Sequence, residues 1–393
     1  PVGILLSGGI DSSLVAASAA RQCSLSQAFF LDFEEASFSE YEAASKVAKK
    51  LHIPLERVVL TSAALADFMT IVEHADEPLA DSSCLAMWTL CRFASQDNKV
   101  VLGGDGGDEL FGGYLTYQAS HYHSKYISRL PLPIRRFLST LAEYLPISER
   151  KVSTSYKLWR FLRAADLPTQ LAHLTWNGTW LPSQAGTFAS DAGLRRRIEN
   201  ALCELNDLSQ TVGDLDCRHL QRFDLGQYLP NDILAKADRM SMAHGLEVRA
   251  PFLDPDFASW AITLPESQKI GRPGQTKSLP RKMLQRRFGS GLASRGKQGF
   301  SIPVHAWLRG PLSEVVQDLL TPESVSRLEV LDVERVQEAL RQHLSGNRSY
   351  GYELWGLAVL VAWHQARIER RPSAPRDSPV AIRSIGHSSQ VGS

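Results

Sequence analysis

VGILLSGGIDSS, residues 2–13, is the stretch on which the reading of this chain turns. Val2–Leu6 is a short apolar run that breaks into Ser7-Gly8-Gly9, after which Asp11, Ser12 and Ser13 open a helical pattern reaching Gln22. An apolar strand feeding a glycine turn and then a helix start is suited to holding a phosphate. The glycines let backbone N–H groups converge without Cβ clashes, and the helix N-terminus adds partial positive charge. The loop carries no lysine, which separates it from the P-loop pattern. Taken alone, it is also compatible with a plain glycine turn between a strand and a helix.

The residues that follow extend this into a fold. Ala28–Phe33, Leu55–Leu60 and Lys99–Leu102 read as three further strands. Between them, helical patterns cover Ser39–Leu51, Ala63–Glu73 and Cys84–Ala94. Tyr41, Ala44, Val47, Ala48 and Leu51 fall on one helix face, and Ser39 with Glu42 forms a capping-box pattern. Alternating strands and helices predict an α/β fold, a doubly wound and mainly parallel sheet with helices on both faces. Ligand loops belong at the carboxyl ends of such strands. A second glycine-rich loop, GGDGGDELFGGY at 103–114, falls at such an end, so the two loops are expected to share one site. From about residue 116 onward helical patterns dominate, at Leu215–Leu229, Ile233–Ala243, Arg335–Leu344 and Leu354–Ile368. Residues 371–393, rich in Pro, Ser and Arg, read as a disordered tail.

The second loop sets six glycines around Asp105, Asp108 and Glu109. Carboxylates beside a phosphate repel it unless a cation lies between, and Mg²⁺ fits that role with one or two carboxylates plus phosphate oxygens. Asp11 and Asp108 are the candidate ligands. Two more stretches stand out. LPNDILAKADRMSMAHGLEVRAPFLD, 229–254, contains Glu247 and Arg249, a pair equally readable as a structural ion pair. RGKQGF, 295–300, sets Lys297 between two glycines, where a solvent-exposed loop lysine is the plain reading.

Composition narrows the class. With 43 basic and 42 acidic residues the net charge is +1, which gives no reason to expect nucleic acid as a partner. The Arg195–Arg197 run reads as a solvated helix face, whereas Arg281–Arg287 is kept as a patch on the phosphate side. Five cysteines without CxxC spacing suggest neither a disulfide framework nor a zinc site and fit a reducing, cytoplasmic setting. No apolar run approaches the ~20 residues that cross a bilayer, so no membrane partner is expected. The chain opens at Pro1, directly on a strand, and so reads as a piece of a longer protein.

SGGIDSS resembles the SGGxDS loop of ATP pyrophosphatases, which split ATP into AMP and pyrophosphate. All four stretches together, in order, resemble the synthetase domain of glutamine-hydrolysing (class B) asparagine synthetases, over roughly residues 2–365. The resemblance implies an adenine nucleotide alpha hydrolase-like core over 1–115, with a largely helical extension over 116–370 completing the substrate site. It implies ATP-dependent amidation of aspartate through a β-aspartyl-AMP intermediate. Ser7, Gly8, Gly9, Asp11 and Ser12 match the pyrophosphate loop, with Leu6 also among the expected ATP-binding residues, and Leu31 matches an aliphatic position against adenine. Gly103, Gly104 and Asp105 match the acidic loop beside ATP, and Asp108 its magnesium ligand. Lys297 matches a lysine that steadies the reacting groups, and Glu247 a glutamate near the amino acid. The catalytic set is then Asp105, Glu247 and Lys297.

Two departures qualify the match. Asp105 stands where these synthetases often carry the longer glutamate, and where β-lactam synthetases carry tyrosine, so it speaks against lactam formation. The family's N-terminal glutaminase domain, with its nucleophilic cysteine, matches no part of these residues, so ammonia is expected from such a domain or free in solution. A paralogous ligase acting on another carboxylate is the second reading, and a nucleotide-binding interaction module without turnover the third. The oligomeric state is left open, a homodimer included.

Overall fold

The computed structural model describes residues 1–33, 40–142, 154–178, 180, 186–208, 217–271, 275–293 and 302–369. Its sheet is built from β1 (Val2–Leu5), β2 (Leu25–Phe33), β3 (Leu55–Leu60), β4 (Val100–Leu102) and β5 (Glu247–Arg249). The strand order is β3-β2-β1-β4-β5, with every pairing parallel. The chain winds outward from β1 through β2 to β3, then returns to the other side of β1 for β4. The order therefore reverses between β1 and β4, and a doubly wound sheet opens its ligand crevice at such a point. β1 leads directly into the first glycine loop and β4 into the second.

Helices α1 (Ile10–Ala19), α2 (Tyr41–Leu51), α3 (Phe68–His74) and α4 (Ser83–Ala94) connect these strands, with a 3₁₀ turn over Ser62–Asp67 preceding α3. The single helix read over Ala63–Glu73 is thus two segments. The backbone cap of α2 is Glu40, without a side-chain cap; Ser39 lies outside the described residues, and Glu42 pairs with Lys46 at 2.5 Å.

Strand residues alternate between two cores. Leu5, Phe29, Leu31 and Val101 face α3, α4 and the helix Gly351–Arg367, while Ile4, Ala28 and Phe30 face α1, α2 and part of the helix Ser278–Phe288. A sheet buried on both faces reads as continuous apolar sequence. Arg57 reaches across from β3 to the fully buried Asp32 of β2, its Nε donating at 2.7 Å.

The fifth strand comes from beyond residue 116, within the segment whose sequence reads as helical. Glu247–Arg249 pairs with Val100–Leu102, and Gly103 N–H donates to the Arg249 carbonyl at 2.7 Å. The rest of the GLEVRAPFLD motif supports the second loop: a Cβ on Gly106 would sit 2.3 Å from Leu253, and Phe252 meets Phe111 edge-on at 6.0 Å. Asp254 caps the helix Pro255–Thr263 by accepting from the N–H groups of Asp256 and Phe257.

In the helical part, Asp224 is wholly buried and accepts from Tyr117 Oη at 2.6 Å, His173 Nε2 at 3.0 Å and Asn177 Nδ2 at 3.2 Å. Ser120 Oγ meets His173 Nδ1 at 2.9 Å, which completes a serine–histidine–aspartate series. Its serine is 1% exposed and donates to the Thr116 carbonyl, so the series ties helices together and offers no nucleophile to solvent. Tyr117→Phe should cost about 1.5–3 kcal/mol, the range for a hydrogen bond to a charged group, with exchange activity retained; urea unfolding measures it.

Candidate functional site

The first loop is held by its neighbours. Gly8 has φ +76°, and a Cβ there would lie 2.6 Å from the Ala44 backbone nitrogen of α2, so only glycine fits. Ser7 Oγ lies 3.0 Å from Ser12 Oγ and accepts from Gly9 N–H at 3.2 Å. No side chain caps α1, so its first N–H groups face the turn in the manner of an anion-binding helix start. Leu6 is buried beneath, its N–H donating to the Phe29 carbonyl at 2.9 Å.

The second loop packs onto the first. A Cβ on Gly104 would lie 3.0 Å from Ser12 N and 3.1 Å from Asp11 Cβ, and one on Gly107 would lie 2.6 Å from Asp11 Cγ. Gly103 continues β4, and Asp105 lies at its side, with Oδ2 3.0 Å from where a Gly103 Cβ would stand. Asp108 belongs to the short helix α5 (Gly107–Phe111). Residues 97 positions apart in the chain are thereby brought to one point.

A lysine marks that point. Lys277 Nζ contacts Asp11 Oδ2 and lies 2.8 Å from Asp108 Oδ1, with the Lys277 side chain 4% exposed. Burial works against its charge, but Asp108 and Asp11 overcome this and hold its pKa above the ordinary lysine value. The geometry is tight, because a Cβ on Gly113 would lie 1.9 Å from Asp108 Oδ1 and 2.3 Å from Lys277 Cε. Lys277 itself takes a left-handed backbone, φ 55°, just ahead of the helix Ser278–Phe288. Sequence reading missed it, since GQTKSLPRK offers no pattern beyond a polar turn before a helix. Arg281, from the basic patch noted in the sequence, lies one turn further along and donates to the Thr276 carbonyl at 3.2 Å.

The donor set suits a small hard cation. Two carboxylates already converge on a positive charge, and Mg²⁺ is held by one or two carboxylates together with phosphate oxygens. Asp11 and Asp108 are the residues that would hold it. Among the described residues no group of three or more His, Cys, Asp or Glu side chains forms a metal site by itself, so phosphate oxygens would supply the remaining donors.

The other predicted residues divide. Glu109 is 1% exposed and accepts from Tyr114 Oη at 2.6 Å. Leu31 lies within β2, 4% exposed, in the core against α4. Glu247 stands apart from the Asp11–Asp108 cluster. It opens β5 at the amino end, away from the loops, with its side chain 54% exposed and bonded at 2.7 Å to Arg249. That is the local ion pair its sequence also allowed. Arg249 holds the Glu247 carboxyl below its usual range. Lys297 and the RGKQGF segment lie outside the described residues, as does the 371–393 tail.

The asparagine synthase family model matches residues 1–365. The chain belongs to the asparagine synthase family. A Mycobacterium tuberculosis protein named putative asparagine synthetase (glutamine-hydrolyzing) is 31% identical over 383 residues, covering 94% of this chain and 55% of the relative. Asparagine synthetase (glutamine-hydrolyzing) 1 of Bacillus subtilis is 28% identical, covering 94% of this chain and 57% of its own length. A Penicillium rubens protein named Amidase chyE is 27% identical, covering 87% of this chain and 55% of the relative. The chain thus spans about half the length of the curated relatives it matches. Within this asparagine synthase fold, the four cysteines with described side chains are free, and no helix among the described residues is long and apolar enough to cross a membrane.

Proposed function

We propose that this chain carries out ATP-dependent amidation of aspartate to asparagine. The β-carboxylate attacks the α-phosphorus of ATP, giving β-aspartyl-AMP and pyrophosphate; ammonia then adds at the acyl carbon and AMP leaves. The observation that supports this most is the convergence of Asp11 and Asp108 on one cationic point at the reversal of the sheet.

A carboxylate is a poor acyl donor, because its leaving group would be oxide, and adenylation replaces that with AMP. The Ser7–Gly9 turn and the start of α1 would bind the pyrophosphate portion through backbone N–H groups. Asp11 and Asp108 would hold Mg²⁺, which when bound neutralises charge on the phosphates. Lys277, released from the two carboxylates, would then be free to pair with a phosphate oxygen. Asp105, at the side of Gly103, would accept a proton from the ammonium formed when ammonia adds, and Lys297 would offset negative charge on the reacting groups. The helical part over the sheet would exclude water that otherwise hydrolyses the adenylate. In the whole protein, ammonia would come from a glutaminase domain or from solution.

The test is ATP–pyrophosphate exchange by the chain with Mg²⁺ and candidate acids. L-Aspartate should support exchange far better than other carboxylic acids do. Exchange with a different acid alone would make this a ligase for that acid, and magnesium-dependent ATP binding without any exchange would leave a nucleotide-binding module.

A further inference from the structure

A second charged cluster lies on the loop side of the sheet and takes no part in the scheme above. It joins Asp81, just ahead of α4, to Asp232 and to Lys236 of the helix Ala235–Met242. Both helices lead into strands, α4 into β4 and Ala235–Met242 into β5, so both begin at the carboxyl edge, where the two glycine loops gather. Asp81 is fully engaged: Oδ1 accepts from Ser83 N–H at 2.9 Å, and Oδ2 accepts from Ser83 Oγ at 2.7 Å and from Lys236 Nζ.

Asp232 is in a different position. Its Oδ1 is buried and accepts no hydrogen bond among the described residues, and the Tyr228 hydroxyl adjoins the carboxyl. Burial and the neighbouring Asp81 push the Asp232 carboxyl up to about 6, with Lys236 offsetting part of the effect. Near neutral pH the cluster therefore holds two carboxylates against one ammonium, a net charge of −1. The Cys84 thiol beside it is pushed well up by burial and stays neutral.

The backbone here is unusual. Asp224–Leu234 is an eleven-residue π-helical segment that includes Pro230. π segments are rare, and they concentrate at functional sites. This one carries Tyr228 and Asp232 four residues apart. It seats the Tyr228 ring 5.9 Å from that of Tyr114, whose hydroxyl bonds Glu109, the neighbour of metal-ligand candidate Asp108.

We infer that Asp232, with Tyr228 and the Asp81–Lys236 pair, forms a subsite for a primary ammonium group, the α-ammonium of the amino acid being adenylated. An ammonium supplies the missing positive charge and donates to the buried carboxylate oxygen. A divalent cation suits the cluster less, since Lys236 stands beside it and the oxygen donors are few. The inference rests on the proposed adenylation of an amino acid.

Comparing L-aspartate with succinate, the same diacid without the ammonium, tests it by ATP–pyrophosphate exchange. Asp232→Asn should raise the KM for L-aspartate at least about tenfold and leave the KM for Mg·ATP within about twofold. The aspartate-to-succinate ratio of kcat/KM should fall toward one, which a merely structural role would not produce. Tyr228→Phe should shift the same ratio in the same direction by a smaller factor, and it reads the subsite even where Asp232→Asn fails to fold. A ratio unchanged in both variants would overturn the subsite. So would a change confined to the KM for free ammonium in the complete amidation, which would assign the cluster to that ion. No exchange by the unsubstituted chain with either acid would overturn the adenylation reading itself.

Discussion

Asp108→Asn lowers aspartate-dependent ATP–pyrophosphate exchange about 10²- to 10³-fold, the loss typical when one preorganised electrostatic group is removed from a reacting phosphate or acyl centre. Asparagine keeps the shape of the side chain, which matters where Gly113 leaves no spare room beside Asp108 Oδ1. Lys277 keeps its contact with Asp11, so the buried ammonium remains paired and the chain stays folded. The effect is then on chemistry and metal-nucleotide use, not on stability. Exchange rates read alongside a thermal unfolding curve measure it. Near-normal exchange in a folded Asp108→Asn chain would remove this residue from the site.

Lys277→Met has the opposite profile. Removing the ammonium leaves Asp11 and Asp108 converging with their shared counter-charge gone. Removing one partner of a buried ion pair costs about 3–5 kcal/mol, and urea unfolding without added metal should show a loss of that size. Mg²⁺ should restore part of it, and more than it adds to the unsubstituted chain. The pH dependence follows in sign. With Lys277 present, its raised pKa means the contribution is complete below the ordinary lysine value, about 10.4, and is lost only as pH rises beyond it. Without it, two adjacent carboxylates push one pKa upward, so the folded state binds the extra proton and the variant gains stability as pH falls from 8 to 5. A variant as stable as the parent at pH 8, indifferent to Mg²⁺, would contradict the arrangement.

Much of this site was legible in the sequence because the physics is local. Buried parallel strands leave uninterrupted apolar runs, so β1 to β4 could be read in order, and each glycine loop follows directly from its strand. That both loops meet follows from the order reversing between β1 and β4, a consequence of winding that four strands suffice to suggest. β5 was not legible. Three residues with charged ends, Glu247 and Arg249, carry no strand pattern, and only pairing with Val100–Leu102 makes them one. The position of Glu247 at the amino edge depends on that same pairing.

Lys277 was invisible for a related reason. It lies 266 residues from Asp11, and nothing within GQTKSLPRK distinguishes a lysine that ends up buried between two carboxylates from one in water. The π-helical course of Asp224–Leu234 was hidden because an amphipathic pattern over a few turns reads as α-helix. Its consequence, the placement of Tyr228 against Tyr114 of the second loop and of Asp232 beside Asp81 and Lys236, appears only in three dimensions.

On this reading Asp11 and Asp108 face a single metal-bound triphosphate. Crystals of the chain grown with Mn²⁺ in place of Mg²⁺ and a non-hydrolysable ATP analogue would test it through the anomalous signal of the metal. One metal peak is expected within bonding distance of both carboxylates, with phosphate oxygens on its other side and Lys277 withdrawn from the position between them. A metal bound away from either aspartate, with the lysine still bridging the pair, would contradict it.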